Sequence, residues 1–129
     1  MNGKANISLG KIAQIAVMVR DLERATAFYR DKLGIKFLFD APPKMAFFDC
    51  DGIRLLLGEP ERPELQHASS IIYFKVEDID AAYEALSGRG VLFEGKPTLI
   101  APMPTYDLWL AEFRDSENNV LALMCEKAK

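Results

Sequence analysis

Few side chains in this chain suit the commonest kinds of catalysis. It has one histidine, His67, and two cysteines, Cys50 and Cys125. No zinc-ligand spacing, phosphate-binding glycine loop or nucleophile elbow occurs anywhere. What remains is a scatter of carboxylates, guanidiniums and phenols in strand-like contexts, with Arg54 and Glu112 the most informative. A charge directed into a cleft is costly unless it is paired or meets a ligand. One reading is a mutual salt bridge, or exposure at an open mouth. The other gives Arg54 to an anionic ligand group and Glu112 to general-base work, with Tyr73 and Gln14 orienting the substrate. Apolar neighbours can raise the pKa of a partly buried glutamate toward the working pH that such a base needs. His67 stands in a linker-like stretch and reads as a solvated loop histidine. The two cysteines lie far apart in strand-like runs and read as buried, reduced thiols.

The elements that would position these groups follow a repeat. Residues Ile12–Leu33 read as an apolar strand closing on Val19-Arg20-Asp21-Leu22, then an amphipathic helix; Ile71–Gly90 repeats that grammar with Val76-Glu77-Asp78-Ile79, offset by 57 positions. Alternation puts Ile15, Val17 and Val19 on one strand face and Gln14, Ala16 and Met18 on the other. Asp21 caps the first helix, whose stripe is Leu22, Ala25, Tyr29 and Leu33, and Gly34 stops it. Strands follow at Lys36–Asp40, Met45–Asp51 and Ile53–Glu59, with Pro42-Pro43 at the first junction and an Asp51-Gly52 hairpin at the second.

Glu59–Ser69 reads as a linker. In the second copy Ile72, Phe74 and Val76 face the helix, which Asp78 or Glu77 starts and whose stripe is Ile79, Ala82, Tyr83 and Leu86. Strands are expected at Val91–Glu94, Asp107–Arg114 and Val120–Glu126, the last two joined by a hairpin at Asp115–Asn119 in which Asn supplies the positive φ. Lys96–Tyr106, with three prolines, reads as a long loop and a candidate lid. The fold class is α+β: two βαβββ modules forming paired curved mixed sheets around a cleft. They make a single domain, with module one at about 10–60, the linker at about 60–69 and module two at about 70–127.

The chain has 129 residues, half of them hydrophobic, a net charge of −3 and a pI near 5.2. Nothing in that balance favours nucleic acid or an anionic membrane as partner. No apolar run approaches the roughly 20 residues of a membrane span. The first residues lack a hydrophobic signal region, so the expected location is cytoplasmic.

Val19-Arg20-Asp21-Leu22-Glu23-Arg24-Ala25, running to Phe28-Tyr29 and Leu33-Gly34, and the closing stretch Ala111–Leu123 carry a family likeness. Together they resemble the vicinal-oxygen-chelate superfamily, which includes glyoxalase I, extradiol dioxygenases and bleomycin-binding proteins. In the closing hairpin Ser116 stands where the family has proline, and Asn118 where it has glycine. The resemblance implies four metal-ligand places on the cleft faces, falling here on Gln14, Leu56, Ile71 and Ala122. Three of the four have no donor atom, so the expected metal ligands are none and the expected cofactor is none. The alternative is a divalent metal at a displaced set of Gln14, His67, Glu112 and Glu126.

Strand parity supplies the cleft inventory. Gln14, Met18, Arg54, Leu56, Ile71, Tyr73, Leu110, Arg114, Ala122 and Met124 are the candidate ligand-binding residues, with Ala16 and Lys75 beside them and Glu112 the candidate catalytic residue. Phe47, Tyr106 and Trp109 are candidate aromatic walls, although parity turns Trp109 toward the helix. The expected function is metal-independent binding of a small organic ligand, with a homodimer implied by the resemblance. The alternatives are a glyoxalase-, epimerase- or dioxygenase-like enzyme, and an interaction module with a filled cleft.

Overall fold

The structure, a computed structural model, describes residues 7–60 and 69–129. His67 and most of the expected linker lie outside them. Strand β1 (Gln14–Met18) leads into helix α1 (Leu22–Ala27). Strands β2 (Lys36–Ala41), β3 (Met45–Cys50) and β4 (Ile53–Gly58) complete the first module. The second repeats the plan with β5 (Ile72–Lys75), helix α2 (Ile79–Gly88), β6 (Thr98–Pro102), β7 (Tyr106–Arg114) and β8 (Val120–Ala128). Each module is one four-stranded mixed sheet, ordered β1-β4-β3-β2 and β5-β8-β7-β6, with the first pair in each parallel. This is the α+β pair of βαβββ units that the repeat predicts.

Both helices begin as their sequences dictate. The side chains of Asp21 and Asp78 accept from the N–H groups of Arg24 and Ala81, three residues on. Each helix packs one sheet face, and Val17, Val19, Tyr29, Phe48, Leu57, Ile79, Phe113 and Leu121 form a core cluster that runs through both modules. The Asp51-Gly52 hairpin has positive φ at both residues, and Asn118 supplies the positive φ of the later hairpin.

Three local features depart from a regular reading. The first helix does not continue unchanged to Leu33: Phe28–Lys32 forms a π turn, with Leu33 N–H donating to Phe28 O at 3.1 Å. The expected strand at Val91–Glu94 makes only a single bridge, Phe93 to Phe113. The expected loop at Lys96–Tyr106 instead contains the edge strand β6. Both corrections have one cause, because two segments share the outer edge of β7. Glu94 N–H donates to Glu112 O at 2.8 Å, and after Pro97 the chain returns to pair Thr98 with Leu110 and Pro102 with Asp107. An edge strand needs only half of its backbone groups paired, so Pro102 is tolerated at its end. With its backbone paired to β7, Thr98–Pro102 forms the edge of the second sheet.

The third feature is a bulge. In the β2–β3 register Phe37 opposes Phe48 but Phe39 opposes Phe47, which leaves Leu38 as the extra residue. Phe37 therefore packs edge-on against core Phe48, while Phe39 is turned to the opposite face.

Candidate functional site

The sheet faces away from the helices carry the candidate residues, and register fixes their rows. On the first sheet one row reads Gln14, Arg54, Asp49 and Lys36; the next reads Ala16, Leu56, Phe47 and Phe39. Met18, Gly58, Met45 and Ala41 form the third. On the second sheet Tyr73, Ala122 and Glu112 make one row, and Lys75, Met124, Leu110 and Thr98 the next. Two candidates fall outside these rows: Ile71 precedes β5, and Arg114, at the end of β7, lines a groove with Arg24 and Phe28 of the first helix segment. Trp109 packs against the core, as parity implies, with the Lys127 ammonium 4.2 Å from its ring centre.

On the first sheet the polar row borders an aromatic one. Phe39 and Phe47 stack with centroids 4.9 Å apart, and the Arg54 guanidinium lies 5.9 and 5.8 Å from their ring centres. Such distances are those of cation–π contact. Asp49, across the strand pair from Arg54, accepts a hydrogen bond at 3.1 Å from Gly52 N–H and so helps to tie the hairpin. A groove of about 420 Å³ opens here, lined by Gln14, Leu38, Asp49 and Arg54 among others. Phe39 is missing from the sequence inventory, because strict alternation pairs it with Phe37; only the bulge moves it.

On the second sheet Tyr73 and Glu112 flank Ala122, which is wholly buried and can only be floor between them. Tyr73 and Ile71 are 49% and 44% exposed, so this face is open. Lys75 pairs with Glu126 at 3.6 Å. Arg114 is held at the strand end by Glu94, at 3.4 Å, and by donating to Asn118 O at 3.2 Å. Arg54 and Glu112 sit on different sheets, and among the described residues no ion pair joins them.

The four places implied for metal ligands fall on these same faces. Gln14 is exposed, Leu56 is partly buried and Ala122 is covered. One amide and three hydrocarbon side chains do not match a divalent cation. Among the described residues no cluster of three His, Cys, Asp or Glu could hold a metal ion. Cys50 and Cys125 are free thiols, and burial together with Asp49 and Asp51 pushes the Cys50 thiol up.

The stretches that carry the family likeness also meet each other, where the hairpin at Asp115–Asn119 reaches the start of the first helix. Buried Asp115 accepts from the Tyr29 hydroxyl at 2.7 Å, from the N–H groups of Glu117 and Asn119 at 2.8 Å each, and from the Asn119 side chain at 2.9 Å. Burial, then the Asp115 charge and hydrogen bond, push the Tyr29 phenol far up, so it is a permanent donor. Glu117 accepts from the N–H groups of Arg20 and Asp21, at 2.9 and 3.1 Å, and from Arg24 Nε at 2.8 Å. Burial works to raise the Glu117 carboxyl, but these donors outweigh it and hold the group below the ordinary glutamate value. The second module's hairpin thus clasps the start of the first module's helix.

With that geometry established, likeness to known proteins is informative. The sequence profile described as Glyoxalase/Bleomycin resistance protein/Dioxygenase superfamily matches residues 11–123. The Bacillus subtilis (strain 168) protein YraH is 29% identical over 126 residues, which cover 88% of this chain and 96% of YraH. A solved superfamily member from Sphaerobacter thermophilus DSM 20745 shares 27% identity at a TM-score of 0.75, over 92% of this chain and 98% of its own. TnmS3, an antibiotic binding protein from Streptomyces sp. CB03234, has a TM-score of 0.73 at 23% identity, over 95% and 99% of the two chains, which is a likeness of fold.

Proposed function

This chain belongs to the glyoxalase/bleomycin resistance protein/dioxygenase superfamily, and from that premise we propose that it is a metal-independent, cytoplasmic small-molecule-binding protein. The ligand is a small organic molecule held on the open sheet faces. The observation that carries this reading is the donor set: Gln14 alone remains where Leu56, Ile71 and Ala122 replace the other ligands, while a mixed apolar and polar surface is kept. Such a mixture suits small-molecule recognition. Calorimetric titration with Zn²⁺, Ni²⁺, Mn²⁺ and Fe²⁺ tests it. No tight binding is expected, and one ion bound tightly per chain at the open faces would overturn it. Thermal-shift screening against a metabolite panel tests the binding claim, because a ligand selective for the folded state raises Tm; a null result across the panel favours an interaction module with a filled cleft.

The protein is proposed to act as a homodimer. Phe39, Ile71 and Tyr73 leave much apolar surface open on the two sheet faces, and a second copy laid over them would enclose a cleft. Light scattering at micromolar concentration checks this, and a monomer mass would remove it.

The enzymatic reading is favoured by one observation, the Tyr73–Ala122–Glu112 row. An acid–base pair held to either side of a small residue leaves room for a substrate between them. On that reading Glu112 is the proton acceptor and Tyr73 orients the substrate. Glu112→Gln then abolishes turnover and leaves folding intact; full activity in that variant refutes the role.

A further inference from the structure

We infer that the first sheet carries a subsite for a flat aromatic monocarboxylate, built from Arg54, Phe39, Phe47 and Gln14. This rests on the small-molecule reading and names the class of ligand. Three observations carry it.

The first is the bulge at Leu38. A regular strand would send Phe39 to the helix side with Phe37; the bulge brings it to the open face, where it stacks on Phe47 and stays 44% exposed. Bulges commonly re-aim a side chain at functional surfaces.

The second is the position of Arg54. Its guanidinium lies almost equally far, 5.9 and 5.8 Å, from the two ring centres. A guanidinium held beside two rings has fewer orientations to lose when it meets an anion. Its planar fork matches a carboxylate. The rings' own row runs on to Leu56 and Ala16, so a flat aromatic body stacked against the rings has apolar surface beyond them to cover.

The third is charge. Arg54 has Gln14 as its cross-strand neighbour on one side and Asp49 on the other. Asp49 is fixed in place by Gly52 N–H at 3.1 Å. Asp49 lies between Arg54 and Lys36 in the row, so one carboxylate faces two cations and the row keeps a single net positive charge, which suits one negative charge better than the dianion of a phosphate. Gln14 offers an amide donor to the same oxygens.

The probe is 2-naphthoate, compared with neutral 2-naphthamide and non-aromatic cyclohexanecarboxylate. Binding is followed by shifts of the Gln14, Phe39, Phe47 and Arg54 backbone amide signals. The expected result is that wild type prefers 2-naphthoate to either comparison compound by about tenfold or more. Arg54→Met removes the preference for the acid over the amide, and Phe39→Leu removes the preference for the aromatic over the saturated acid. Arg54→Lys keeps the charge without the planar fork and recovers only part of the first preference. Phe39 and Arg54 are exposed enough that these variants keep the fold, which the unchanged dispersion of the remaining signals verifies. If wild type binds the three compounds equally, or the substitutions leave the preferences unchanged, the subsite is refuted. If neutral members of a wider panel bind the open faces while 2-naphthoate does not, the ligand class falls and the binding function stands. If no compound binds, both fall.

Discussion

Replacing Tyr29 by phenylalanine removes one oxygen from the centre of the clasp and is the sharpest test of it. The phenol is fully buried and donates to Asp115 at 2.7 Å. The ring's contacts with Phe28 and Phe48 survive the change, so the hydrophobic part of the cost is negligible. What is lost is a hydrogen bond to a buried carboxylate that keeps its three other donors. Hydrogen bonds to charged groups contribute about 1.5–3 kcal/mol. For 129 residues the entropy of unfolding is about 0.27 kcal/mol per degree, so a loss of about 2 kcal/mol lowers Tm by about 7 °C. Urea and thermal unfolding of wild type and Tyr29→Phe give the number. Tyr83→Phe is the control: its ring packs edge-on against Phe93, and among the described residues its hydroxyl has no hydrogen-bond partner, so a change under about 0.5 kcal/mol is expected. If Tyr29→Phe costs no more than Tyr83→Phe, the clasp does not hold the modules as described.

Glu117→Gln tests the same clasp by pH. The folded carboxyl lies below the ordinary value of 4.5, so its stabilisation is complete above that value and fades as pH falls through the folded value; unfolding measured from pH 7 down to pH 3 should show the gap between wild type and variant closing on the acid side. Thr26 is nearly buried and, among the described residues, its hydroxyl has no partner, so Thr26→Val is expected to leave urea stability unchanged or raise it by about 1 kcal/mol. Gly52 adopts φ +93° with open space where a Cβ would sit; Gly52→Ala should therefore cost about 1 kcal/mol from backbone strain alone. Asn118→Gly at φ 68° should be neutral or slightly stabilising in the same unfolding assay.

Much of this architecture was legible because the repeat and the alternation of side chains are local properties. The caps at Asp21 and Asp78, the hairpin glycine and the open-face rows all follow from neighbours in sequence. Features that escaped depend on partners far along the chain or on a single inserted residue. Tyr29 and Asp115 are 86 positions apart, so their pairing has no local signature. The π turn keeps Phe28 and Tyr29 at a spacing that an ordinary helix also explains. β6 reads as a loop because Pro97 and Pro102 bracket it, although an edge strand bears prolines at its ends. Phe39 was lost because one bulge residue inverts the parity of everything beyond it. The sequence thus marked the faces well, and it missed the residue that gives the first face its aromatic character.

The clasp also sets the two repeated modules apart. The offset that superposes the repeats carries Tyr29 onto Leu86, a core residue with no hydroxyl to give. At the first module's hairpin, Asp49 bonds its own turn through Gly52. One half therefore holds the donor and the other the acceptor, and neither holds both. The joint is asymmetric: two modules of like topology are held by a bond whose donor only the first supplies and whose acceptor only the second supplies.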